Sequence, residues 1–408
     1  MKRVVVTGRS AITSLGDDWP TFQGSVMAGH SGIRQMLEWD RFPTLNTRLG
    51  GPVSHFKTPT HYSRKKLRSM GRVSQLATRA SELALVDAGL LNDPLLTSGR
   101  VGVAFGSSTG STDATADMAR MVLTDDMSRI NGTTYIRMMA HTTAVNIGVF
   151  FGLKGRVYTT SSACTSGSQG IGYAYEAIKY GKQIAMVAGG AEQLCPSEAA
   201  VFDTLYATST RNTEPSLTPR PFDRDRDGLV IGEGAGTLIL EEREHALARG
   251  AHIYAELVGF GTNADGGHVT QPEEATMQIA MELALEDAAL PSSEIGHVHA
   301  HGTATERGDI AESQATGRVF GNSTPFSGLK GHLGHTLGAC GAIEAWASLE
   351  MMNNNWFAPT LNLDNIDERC ADLDYIHGHA RELDTQYVMT NNFAFGGINT
   401  SLVFRRNG

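Results

Sequence analysis

The chain has 408 residues, 41% hydrophobic and 19% charged, a composition that folds and leaves material for more than one core. Its 34 basic and 43 acidic side chains give a net charge of −9, which speaks against nucleic acid as the main partner because phosphate binding needs a basic face. The start, MKRVVVTG, is followed by no apolar leader core, and no apolar run is long enough to span a bilayer, so a cytoplasmic protein without a membrane span is expected. From the N-terminus, the β-branched run at 4–7 reads as a buried strand, and 74–88 as a helix closed by Gly89. Strands are expected at 101–105, 156–160, 184–188 and 236–240, with a helix at 168–179 and a charged helix at 241–249. The pattern then restarts: strands at 253–259, 298–300, 387–390 and 401–404, with helices at 275–288 and 338–352. Alternating strands and helices predict an α/β fold with buried sheets. The restart suggests two similar halves, 1–250 and 251–408.

Four cysteines are scattered without a CxxC pair, so neither a zinc site nor a disulfide framework is indicated. Cys164 differs from the rest in its setting, SSACTSGS, between a β-branched strand and a helical pattern. A strand-to-helix turn lifts the sulfur from the sheet and sets it at a helix N-terminus, where the dipole lowers a thiol pKa. The alternative is a buried structural cysteine, which is the reading for Cys195, Cys340 and Cys370. His301 ends a strand and His335 lies in a glycine-rich loop. Neutral imidazoles can donate to a thioester or enolate oxygen, yet spacing alone does not choose among 14 histidines. Lys330 reads either as a surface lysine or as a group that tunes its neighbours. The glycines at 232–236 precede their strand, the wrong order for a dinucleotide site.

Taken together, VVVTG at 4–8, SSACTSG at 161–167, VAGGAE at 187–192 and STRN at 209–212 form a collinear set. It continues with RPFDRDRDGLVIGEGAG at 220–236, HGTATERGD at 301–309, the Lys-Gly-His loop at 330–335 and NNFAFGGIN at 391–399. Over essentially its whole length the chain resembles the elongating β-ketoacyl-[acyl-carrier-protein] synthases. The resemblance implies a thiolase-like, five-layered αβαβα fold and a decarboxylative condensation of an acyl thioester with malonyl-acyl carrier protein. It implies Cys164 as the acylated nucleophile, His301 and His335 as its partners, and Lys330 beside them, supported by Glu312. Phe395 would gate an apolar acyl tunnel, and its backbone N–H with that of Cys164 would form the oxyanion hole. Thr303 and Thr305 would meet the pantetheine arm. Arg64, Lys65, Arg68 and Arg211 would dock an acidic carrier, although the first three also read as a solvated helical face. No metal or other cofactor is implied. A homodimer is expected, and a heterodimer with a related subunit is compatible. The chain departs from the family pattern at Thr109, where a larger apolar residue usually borders the acyl pocket, at Ile398 and at Gly331. These departures make polyene or polyketide synthesis as good a fit as fatty-acid elongation. Two rivals are a non-decarboxylating thiolase, which needs a second catalytic cysteine, and a chain-length-factor-like partner, which lacks the first.

Overall fold

A computed structural model describes residues 1–407. Five strands come from the first part of the chain: β1 (Val4–Ile12), β2 (Val101–Gly106), β3 (Val157–Thr160), β4 (Ala185–Glu192) and β5 (Gly234–Glu242). Six come from the second: β6 (Ala255–Ala264), β7 (His297–His299), β8 (Pro325–Ser327), β9 (Asp374–Tyr375), β10 (Tyr387–Ala394) and β11 (Ile398–Arg406). They form one hydrogen-bonded sheet, ordered β9-β8-β7-β10-β11-β6-β1-β5-β4-β2-β3. From its outer edge, the first part runs third, second, fourth, fifth, first. The second part repeats that order once the extra strand β9 is set aside. The repeats meet where Val4–Val6 of β1 pair antiparallel with residues 255–257 of β6. Strand β4 is buried along its whole length, as expected for a strand covered on both faces, whose sequence is apolar or small up to its last residue, Glu192.

Six helices set the layers: α1 (Arg72–Asp87), α2 (Thr142–Phe151), α3 (Ser166–Lys179), α4 (Glu274–Ala288), α5 (Glu306–Phe320) and α6 (Cys340–Asn353). Helices α3 and α6 each touch strands from both repeats, so they form a central layer. Helices α1 and α2 cover the outside of the first repeat; α4 covers the second, with α5 packed on it. The result is five alternating layers, as the resemblance implies. Helix α6 is buried on every side, which explains why its sequence is mostly apolar or small all round, with Glu344 and Glu350 as the charged exceptions. The two central helices cross at glycines. A Cβ on Gly167 would lie 2.9 Å from Ala342 N, and one on Gly341 would lie 2.7 Å from Ser168 N. The backbones therefore touch, and both helix starts converge on one point.

Several strands run longer than expected, among them β1, β4, β6, β10 and β11, and the end of β5 is instructive. The charged helix expected at 241–249 is Arg243–Ala248, and β5 runs on through Glu242. The reason is Glu241, a buried carboxylate held in the sheet by Arg249 Nη2 at 2.7 Å and Thr7 Oγ1 at 2.9 Å.

Candidate active site

Strand β3 ends at Thr160, a single 3₁₀ turn spans Ala163–Thr165, and α3 begins at Ser166. Ala163 holds φ at +50°, a left-handed conformation that costs an L-residue about 1–2 kcal/mol. This strained turn presents Cys164, 4% exposed, at the convergence of the two central helices. The backbone N–H groups of Phe395 and of Cys164 itself both reach its sulfur. Burial nevertheless dominates and pushes the thiol up to about 11, although Lys330 and the two N–H groups pull it down. The expected lowering by a helix dipole is therefore overturned. Desolvation outweighs a helix that starts two residues later.

The two histidines are pinned from behind. His301 follows β7, and its backbone N–H and that of Gly302 donate to Glu312 at 2.6 and 2.7 Å. Its Nδ1 lies 3.2 Å from Lys330 Nζ and 3.3 Å from Asn392 Nδ2. Both neighbours are donors, so Nδ1 accepts and the proton sits on Nε2. That Nε2 is buried and has no partner among the described residues. In His335 the Leu337 N–H donates to Nδ1 at 3.3 Å, and Nε2 lies 3.0 Å from Cys164 Sγ. Hence both imidazoles present an Nε2–H. The rings are 5.1 Å apart and nearly perpendicular at 86°. The sulfur and one nitrogen of each ring lie within 4.8 Å of one another. Burial, then the charge on Lys330, holds both histidines well below the usual imidazole range, so at neutral pH they are uncharged donors.

Lys330 is 2% exposed, so it is not a surface lysine. Burial is the largest influence and opposes its charge, but Glu344 together with Cys340 and Glu312 holds its pKa above the ordinary value. Its Nζ donates to Glu344 Oε1 and to the His301 carbonyl, each at 2.5 Å. Here the structure corrects the expectation for Glu312. That carboxylate grips the His301–Gly302 backbone, while Glu344 on α6 pairs with the lysine. Asn392 Nδ2 completes the set by donating to Glu344 Oε2 at 2.6 Å. Sequence reading missed Glu344 and Asn392. The available signal was a carboxylate amid the apolar stretch of this helix, which Glu344 shares with Glu350. Cys340, read as structural, donates its S–H to the Cys164 carbonyl at 3.2 Å. It faces the back of the turn and does not line the cavity in front.

That cavity, about 520 Å³, is lined by Cys164, His301, His335, Thr303, Thr305 and Phe395 among others. Thr303 Oγ1 and Thr305 Oγ1 are hydrogen-bonded to each other at 2.8 Å. Phe395 stands against Phe202, ring centres 5.1 Å apart, and both line the cavity. Thr109 lies outside this cavity lining. Arg64, Lys65 and Arg68 are exposed together on and beside the short helix Arg64–Leu67. Arg211 is set apart from them: it is half-buried, 3.6 Å from Asp227, and donates to the Asp225 carbonyl.

Two family models match in tandem: "Beta-ketoacyl synthase, N-terminal domain" over residues 1–246 and its C-terminal domain over 254–364. The chain belongs to the beta-ketoacyl synthase family. It is an acyltransferase of the 3-oxoacyl-[acyl-carrier-protein] synthase type. It is 38% identical to 3-oxoacyl-[acyl-carrier-protein] synthase 2 of Vibrio cholerae, with 99% of each chain covered. A crystal structure of a beta-ketoacyl synthase from Burkholderia phymatum superposes with a TM-score of 0.99, at 59% identity and full coverage of both chains. A type II polyketide ketosynthase solved with its acyl-carrier protein and a hexaketide superposes at 0.89, with 31% identity and full coverage of both chains. No helix among the described residues of the synthase is long and apolar enough to cross a membrane.

Proposed function

We propose that the chain is an elongating synthase in which Cys164 carries the acyl group and His301 and His335 drive decarboxylation of malonyl-acyl carrier protein. The pair of Nε2–H donors beside the sulfur carries this reading. Acyl transfer comes first. Cys164 sulfur attacks the acyl thioester carbonyl, and the backbone N–H groups of Cys164 and Phe395 receive the developing oxyanion. The carbon–sulfur bond to the pantetheine breaks, and the thiol proton leaves with that sulfur. Malonyl carrier then enters along Thr303 and Thr305. The two Nε2–H groups donate to its thioester oxygen as the bond to the carboxylate breaks, carbon dioxide departs and the electron pair becomes an enolate. The enolate carbon attacks the acyl-Cys164 carbonyl and expels the cysteine sulfur, which regains a proton. The product is a 3-oxoacyl carrier two carbons longer. Lys330 acts through His301: its cation keeps Nδ1 unprotonated and so keeps the proton on Nε2.

The reading includes a boundary between halves near residue 250, a cytoplasmic setting, carrier docking on Arg64, Lys65 and Arg68, with Arg211 as a secondary contact, and a homodimer. Strand β3 supports the last, as a free sheet edge whose Val157 is 50% exposed. The thiolase alternative is disfavoured because Cys340 faces away from the cavity. Intact mass spectrometry after incubation with acyl carriers tests the proposal. An adduct present in the parent and missing in Cys164→Ala is expected. Condensation that survives in Cys164→Ala would refute the assignment, and no adduct with any donor would restore the partner-subunit reading.

A further inference from the structure

His301 belongs to two clusters whose donor atoms are of the kind metals take. In front, Cys164, His301 and His335 bring a sulfur and two ring nitrogens within 4.8 Å of one another. Behind, His301, Cys340 and Glu344 do the same with a nitrogen, a sulfur and a carboxylate oxygen. All five side chains are buried. Sulfur, imidazole and carboxylate at such spacing are the ligands of zinc and ions like it. The front set lines the cavity of about 520 Å³, whose lining runs out to the exposed Tyr206 and Arg307, so an ion from solvent can reach it. A thiol between two uncharged imidazoles therefore invites poisoning by a metal.

The surroundings of the rings are the reverse of what a metal needs. A ligating nitrogen must be free of its proton, and the other ring nitrogen normally donates its N–H to an acceptor. Here donors stand where acceptors belong. His301 Nδ1 faces Lys330 Nζ at 3.2 Å and Asn392 Nδ2 at 3.3 Å. His335 Nδ1 faces the Leu337 N–H at 3.3 Å. Each ring therefore keeps its proton on Nε2, and a protonated nitrogen has no lone pair for a metal. In the rear set Lys330 acts directly. Its ammonium touches two of the three ligands, Glu344 Oε1 at 2.5 Å and His301 Nδ1 at 3.2 Å, so a cation already holds that set.

We propose that Lys330 is a resident cation that keeps divalent metal ions off His301, and thereby out of both sets. The proposal rests on one part of the reading above, that Lys330 keeps the His301 proton on Nε2, and not on the reaction assigned to Cys164. Lys330→Met removes a donor and leaves Glu344 without its cation, a loss that a divalent ion makes good. Lys330→Met combined with Glu344→Gln leaves no charge there. The new side-chain amide can donate to Asn392 Oδ1, a buried atom with no partner among the described residues. An Asn392 amide turned over then presents Oδ1 to His301 Nδ1, the acceptor that a metal-ligating ring requires.

The test is titration of the full chain with Co²⁺ alone, read as sulfur-to-cobalt charge-transfer absorption, and then with Zn²⁺ in competition. Both variants should bind about 10–100-fold more tightly than the parent, the usual reach of the groups that orient a metal-ligating histidine. Zn²⁺ should also raise the melting temperature of Lys330→Met, a gain that a purely structural lysine does not predict. The double variant, with no buried charge left unpaired, carries the test if Lys330→Met fails to fold. Only its front set keeps all three ligands, so adding Cys164→Ala should abolish the cobalt band. A parent that binds Co²⁺ as tightly as the variants overturns the proposal, and so does a band in the double variant that outlives Cys164→Ala. Acyl transfer is not the readout, so failure of the Cys164 assignment shows separately, as the missing acyl adduct.

Discussion

The two repeats place equivalent connections at the heart of the molecule and use them differently. In the first, residues 161–165 join β3 to α3 by a tight turn that holds the sulfur. In the second, residues 328–339 join β8 to α6 by a longer loop that carries Lys330 and His335. Gly167 and Gly341, each in the first turn of its helix, mark the shared crossing. One topology thus yields a nucleophile on a strained turn in one half, and a cation with an imidazole on a roomier loop in the other. The short connection leaves no space for a charge, so Cys164 borrows Lys330 from across the crossing.

Breaking the charged side of this comparison should have the largest effect. Lys330→Met leaves Glu344 buried without its cation, and such a change costs about 3–5 kcal/mol. Urea unfolding should show that loss; a midpoint unchanged from the parent would mean that the pair does not hold the crossing. Next come the donors. His335→Ala should lower malonyl decarboxylation about 10²–10³-fold, the usual effect of removing one oxyanion donor, with a smaller loss in acyl transfer. Equal losses in both half-reactions would remove the proposed division of labour. The thiol offers a subtler probe. Because burial raises its pKa to about 11, the protonated form prevails at neutral pH, and alkylation by iodoacetamide should accelerate towards alkaline pH. Lys330 lowers that pKa, so in a folded Lys330 variant the profile should shift to still higher pH; a shift to lower pH would contradict the assignment. The smallest effects belong to the surface. Arg64→Glu should weaken carrier binding about two- to fivefold at low salt, the ordinary worth of a solvated charge pair. Arg211→Ala should do less, since Asp227 already neutralises Arg211. Titration calorimetry at two salt concentrations separates the two.

The nucleophile turn was legible because small residues, a β-branched strand and a helix lie side by side in the chain. Strands β1, β2, β4 and β5 were legible because nearly every residue is buried and their sequences are mostly apolar or small, whereas β8 and β9, of three and two residues, offer too short a run to read. Helix α5 escaped notice for a physical reason: much of its buried stripe is polar, with Asp309, Glu312, Ser313 and Thr316 inside, so no apolar period marks it. Glu312 was assigned the wrong partner because pairing is a property of three-dimensional approach. The carboxylate that meets Lys330 comes from α6, and Glu312 turns instead to two backbone N–H groups. The thiol pKa was misjudged because a sequence reveals a helix start but not how dry the site beneath it is.

The contact at Gly167 and Gly341 sets the tolerance of the whole device. The sulfur belongs to one repeat and the imidazoles to the other, so their spacing is a dimension between two bodies. Here that dimension is gauged by main chain resting on main chain, with no flexible side chain in between. Packed protein interiors yield little to compression, so the gap between Cys164 and His335 is machined by contact, and a single added methyl group at either glycine would act as a shim.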